Sequence, residues 1–122
     1  MKNIKFLIAF TLVLISTVAI AQKSQQDKIT NQTNPVFDQM AIDLKLTQEQ
    51  RTTVQNFWVE KTMTVNEKVK AANTDEEKAE VRKASYKDYF QKLKDNFGQE
   101  MMVKMRVWHK ENNPKFFAPK KS

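Results

Sequence analysis

Leu46-Thr47-Gln48-Glu49-Gln50 reads as the opening of a helix. Thr47 supplies a hydroxyl at the N-cap, and Gln50, three residues on, can reach back to the amide of the cap itself. This reciprocal pairing is a capping box, which satisfies two of the donors that every helix start leaves orphaned. Leu46 can tuck beneath the new helix and set its entry angle, although Arg51 is a poor partner for a strict hydrophobic staple. Thr74-Asp75-Glu76-Glu77 repeats the threonine-to-acid spacing. Phe97-Gly98-Gln99-Glu100-Met101 is a third start, with an apolar residue and a glycine cap but no closing glutamine. These three marks divide the chain into helices.

Working outward, the beginning of the chain has the form of an export leader. Lys2 and Lys5 precede an apolar run from Phe6 to Ile20, and Ala19-Ile20-Ala21 offers small residues at the cleavage positions. The run is short of the about 20 residues a bilayer span requires, and no basic stop-transfer cluster follows it. Residues 1–21 are therefore expected to be a signal peptide cleaved after Ala21, leaving no stable membrane insertion. The chain has 122 residues and a formal net charge of +7, part of which leaves with the leader. An exported chain with no cysteine has no disulfide framework, so packing or association must hold it together. A domain this small has a marginal core, which favours burial against a partner. One glycine and three prolines are too few turn residues for a fold of short strands. The composition is all-α.

Residues 22–34 are polar, with Ile29 their one large apolar residue, and read as a flexible linker. Asn34-Pro35 is a cap-then-proline start. A short first helix then carries Val36, Phe37, Met40, Ala41 and Leu44 to about Lys45. A second, at about 48–72, places Val54, Phe57, Trp58, Val65, Val69 and Ala72 on one side, interrupted by Lys61 and Lys68. This stripe is amphipathic but too polar for an enclosed helix. Asn73 can end it in the left-handed conformation. The short turn to Thr74 makes the second and third helices an antiparallel hairpin. The third helix, about 75–95, opens on acidic residues and carries Ala79, Tyr86, Tyr89, Phe90 and Leu93. At 1.5 Å per residue these rods are about 33–38 Å long, which favours an elongated hairpin with short flanking helices over a compact globule. The fourth helix, about 99–111, bears Met101, Met102, Met105 and Trp108. Asn112-Asn113-Pro114 is expected to stop it, leaving 112–122 as a basic tail with Phe116 and Phe117. The helical domain is thus 35–111.

No catalytic set can be assembled from these residues. His109 is the one histidine, expected on the surface at a frayed helix end, and no cysteine is available to it. One histidine and scattered carboxylates make no metal site. A single glycine makes no phosphate loop, and no cofactor is indicated. A sequence pI near 9.6 invites nucleic acid, but the charge is modest, no recognition-helix pattern is present and an exported protein seldom meets DNA. The aromatic and methionine stripes have two readings. One is core or dimer interface, covering Phe37, Met40, Val54, Trp58, Phe90, Leu93 and Met101. The other is an adaptable surface on which methionines and lysine stems hold unfolded chains loosely.

An exported all-helical chain in which Leu46-Thr47-Gln48-Glu49-Gln50 opens the long hairpin resembles the Spy/CpxP family of periplasmic proteins. Leu46, Thr47 and Gln50 match the first of that family's two Leu-Thr-x-x-Gln motifs, and residues 97–101 occupy the place of the second while keeping only its outline. The resemblance spans about residues 36–111. It implies a thin, curved, antiparallel α-helical dimer whose basic, partly apolar face holds unfolded or aggregation-prone proteins without ATP. Some relatives instead restrain an envelope-stress sensor kinase, and a zinc-binding branch uses histidine-rich segments missing here. The expected function is a periplasmic holdase-type chaperone or envelope-stress accessory protein, with Phe57, Lys61, Lys68, Arg82, Tyr86 and Tyr89 as the client-binding residues. The alternative is an adaptor or regulator of one envelope partner, without general chaperone activity.

Overall fold

The computed structural model describes residues 2–117, with side chains from 23 to 117. Four helices make up the described chain: α1 Lys2–Leu44, α2 Gln48–Ala71, α3 Asp75–Phe97 and α4 Gln99–Phe117. The fold is all-α, with no strand among the described residues. The leader expected at 1–21 lies outside the residues with described side chains, and 118–122 of the expected tail lie outside the described residues. Among the residues with described side chains, no helix is long and apolar enough to cross a membrane.

The Leu46–Gln50 stretch does two jobs. The Thr47 hydroxyl accepts from the Gln50 amide at 3.1 Å, and the Gln50 side chain accepts from the Thr47 amide at 2.9 Å, so the expected capping box forms. Just before it, Lys45 takes a left-handed φ of 55° and the Leu46 amide donates to the Ala41 carbonyl at 2.9 Å. That bond closes a Schellman turn at the end of α1, and Leu46 packs on the core beside it. At the start of α3 the Thr74 hydroxyl accepts from the Glu77 amide, but the Glu77 carboxylate accepts from Asn73 instead of the cap. Between α2 and α3 the cap residue Ala72 is extended, so Asn73 is not needed in a left-handed conformation. Gly98 joins α3 to α4 at φ 89°, a region that favours glycine.

Each helix packs on the next and α4 closes back on α1. The shared core takes Phe37 and Met40 from α1, Val54 and Trp58 from α2, Tyr89 and Leu93 from α3, and Met105 and Trp108 from α4. The Trp108 indole N–H donates to Asp43 at 2.8 Å, fastening α4 to α1 and holding the Asp43 carboxyl below its ordinary range. This core occupies one end of the α2–α3 hairpin. No residue between Glu60 and Ala84 is buried, so the other end is at most half-covered, with Gln25 of α1 beside Met63 and Glu67 of α2.

Two sequence expectations are corrected. Residues 23–34 are not a flexible linker, and Pro35 does not begin a helix: both lie within α1, and Ile29 and Thr33 are buried. The reason is a polar joint. The Gln55 amide donates to the Thr30 carbonyl, the Thr33 hydroxyl and the Asn34 side chain at 2.8–3.1 Å. Buried Arg51 donates to Asp38 at 2.7 Å, to Gln55 at 2.8 Å and to Asn34 at 3.1 Å. Pro35 lacks the amide hydrogen that would continue the helical ladder, and these side chains bring donors to that same turn. The second correction is at the other end. α4 does not stop at 111 but runs through Pro114 to Phe117. Phe116 stacks on Trp108 with centroids 6.3 Å apart, and Phe117 stacks on Trp58 at 5.7 Å, contacts that outweigh the proline break.

Candidate functional site

Trp58, in the middle of α2, is where all four helices meet. Phe37 of α1 lies edge-on at 6.1 Å, Tyr89 of α3 edge-on at 5.3 Å, and His109 of α4 stacks at 4.9 Å with 17° between planes. His109 is therefore an interior residue, contrary to the expected surface position. The extension of α4 past residue 111 removes the frayed end on which that expectation rested. Its Nδ1 donates to the Asn113 side-chain oxygen at 2.9 Å, and its Nε2 accepts from the Tyr89 hydroxyl at 2.7 Å. Both nitrogens are satisfied by a neutral ring. Burial pushes the His109 pKa down to about 4, with the nearby Lys61 charge acting in the same direction. Burial also holds the Tyr89 hydroxyl well above its ordinary range.

One turn beyond Trp58, Lys61 lays its ammonium over the indole at 3.5 Å from the ring centroid and over Tyr86 of α3 at 4.3 Å. Burial pushes the Lys61 pKa down to about 8, while the two ring faces attract its charged form. No carboxylate pairs with it among the described residues; the ion pairs there join Arg51 to Asp38, Lys92 to Glu60 and Lys104 to Glu100. Lys61 stands at the wall of an open cleft of about 710 Å³ whose apolar walls include Ile29, Trp58, Tyr86 and Phe117. On the other side of Lys61 a small groove of about 80 Å³ includes Phe57, Tyr89 and Lys92.

Of the six residues expected to contact clients, the fold brings Lys61 and Tyr86 together at the cleft. Phe57 is half-buried on the core's edge, with the Lys92 ammonium 5.9 Å from its ring centroid. Lys68 and Arg82 are exposed on the projecting end of the hairpin, away from the cleft lining. Tyr89 is corrected: it is 1 % exposed and its hydroxyl is held by His109, so it is a core residue that only edges the small groove. Sequence reasoning missed Trp58, Ile29 and Phe117 as walls of one cleft. A hint was present in Trp58 and Lys61, whose three-residue spacing on a helix sets the ammonium over the indole.

Comparison with known proteins returns nothing: no family model, curated protein or solved structure matches the chain.

Proposed function

We propose that the chain is an ATP-independent, holdase-type chaperone or stress-response accessory protein of the periplasm, acting after removal of residues 1–21. The observation that carries this reading is the uncovered basic-aromatic surface around Lys61. There an ammonium on two aromatic rings borders an open apolar cleft, and Tyr86 and Phe117 in its wall keep 37 % and 46 % of their surface in solvent. Such a surface offers long-range attraction to acidic segments and weak, exchangeable apolar contacts, which suits a binder of many sequences. Lys68 and Arg82 extend the basic character along the projecting rods. The half-covered rods also give a second copy of the chain a face to pack on, in keeping with a homodimer.

The test is light scattering of a denatured client diluted into buffer with equimolar protein. Suppressed aggregation supports the holdase reading, and an unchanged trace removes it. A second reading, an adaptor for one envelope protein, draws on the gathering of one lysine with Ile29, Trp58 and Phe117 in one cleft. Pull-down from an envelope extract separates the two: one stoichiometric partner supports the adaptor, and many substoichiometric ones support the chaperone. Mass spectrometry of the purified protein tests cleavage after Ala21.

A further inference from the structure

Among the described residues that line the large cleft, Lys61 is the one charged side chain, and no aspartate or glutamate accompanies it. A half-buried ammonium without a counter-ion is costly to hold, because burial disfavours the charged form and two ring faces return only part of that loss. An arriving carboxylate supplies what is missing in a setting where water screens the pair poorly. The rest of the wall selects the remainder of the ligand. Ile29 comes from α1, Trp58 from α2 and Phe117 from α4, so an apolar group is gripped from three helices. The other polar side chains in the lining, Gln32, Thr33, Thr62, Asn66 and Asn113, are neutral, so the described lining offers one full positive charge, which matches a monoanion better than a phosphate dianion. The volume of about 710 Å³ lies within the range of small-ligand sites, roughly 300–1,000 Å³.

We propose that this cleft binds a free, small amphipathic carboxylate, with its carboxylate on the Lys61 ammonium and its tail against Ile29, Trp58 and Phe117. The proposal goes beyond the client-binding reading and does not depend on it, since it concerns a soluble acid bound in the absence of any other protein.

Trp58 reports occupancy directly, because the tail would lie against its indole. The experiment titrates the purified protein with decanoate, decanol and decyltrimethylammonium, each below its aggregation threshold, following tryptophan fluorescence with calorimetry as a second readout. Decanoate is expected to bind saturably at one site. Decanol and the cationic analogue are expected to bind at least about tenfold more weakly, the equivalent of one charge-assisted contact. Lys61→Met should reduce decanoate to the level of decanol while leaving decanol unchanged. Phe117→Ala, at an exposed position, should weaken both alike, and Lys92→Met, outside the cleft, should weaken neither.

Decanoate affinity should also fall as pH rises through about 8, where Lys61 loses its proton. Among the described residues, the titratable groups around Lys61 are Glu60 on α2, Tyr86, Asp88, Tyr89 and Lys92 on α3, and His109 on α4, with none from α1 in the cleft. Both tyrosines are pushed up and the histidine down, so these three stay neutral across that step. Equal binding of decanoate and decanol, absence of saturation, or full decanoate affinity in Lys61→Met would each overturn the proposal. If Lys61→Met fails to fold, the comparison of decanoate with decanol and the pH dependence in the unaltered protein still decide it.

Discussion

Replacing Lys61 with methionine should make the protein more stable, which is an unusual expectation for removal of a charge at a partly wet position. Methionine keeps the length and flexibility of the stem and removes only the ammonium. A shift of the Lys61 pKa from 10.5 to about 8 corresponds to about 3 kcal/mol against the charged form near neutrality. Contact of the ammonium with the Trp58 and Tyr86 faces returns roughly 1–2 kcal/mol of that. The expected net gain at pH 7 is about 1–2 kcal/mol, or roughly 3–8 °C in Tm. The pH dependence has a definite sign. The folded pKa lies below the unfolded one, so the unaltered protein carries the full penalty below pH 8 and recovers stability as pH rises from about 8 to 10.5. The advantage of Lys61→Met should therefore shrink over that interval. Urea denaturation of both proteins at a series of pH values is the assay. A variant less stable at pH 7, or an advantage that stays constant with pH, would refute the account of Lys61 as an uncompensated buried charge.

Three other substitutions test the remaining joints of the fold. His109 titrates at about 4 when folded and near 6.5 when unfolded, so stability present above pH 6.5 should fall by about 3 kcal/mol as pH drops to 4. His109→Gln should flatten that slope, read from urea midpoints. Gln55→Leu removes the donor to the Thr33 hydroxyl, one of the two donors to the Asn34 side chain and the acceptor of buried Arg51, and should cost about 2–3 kcal/mol. Its amides should lose hydrogen-exchange protection over residues 23–34 before the core does. Thr47→Ala removes one half of the capping box at the start of α2 and should cost about 1 kcal/mol in a thermal melt.

What could be read in advance, and what could not, divides by the range of the interactions involved. The starts of α2, α3 and α4 were legible at Thr47, Thr74 and Gly98 because a cap is decided by residues three or four apart. The extension of α1 was hidden because residues 23–34 lack an apolar period. Their attachment runs through Thr30, Thr33 and Asn34 to Gln55 and Arg51, and a hydrophobic pattern registers none of these. Asn112-Asn113-Pro114 looked like a stop because the local cost of proline is visible in sequence, whereas the stacking of Phe117 on Trp58 of α2, and of Phe116 on Trp108 two turns back, is not. The same blind spot put His109 on the surface. The candidate site was half visible: Lys61 and Tyr86 were singled out for their chemistry, but the cleft between them and α1 exists only once α1 continues past Pro35 to Ile29.

The lopsided placement of the core has a mechanical consequence. Every buried side chain of α2 and α3 lies between the middle of the hairpin and the end nearest Leu46 and Gly98, so the helical turns on either side of Asn73 can loosen without opening a cavity. Ala72, Asn73 and Thr74 tie the two helices together there, so the tip should fray as one closed loop, its last turns unwinding and rewinding together while Trp58 stays packed. Global unfolding and this local fraying are then separate events, with a low-energy excursion at the tip that leaves the aromatic centre undisturbed.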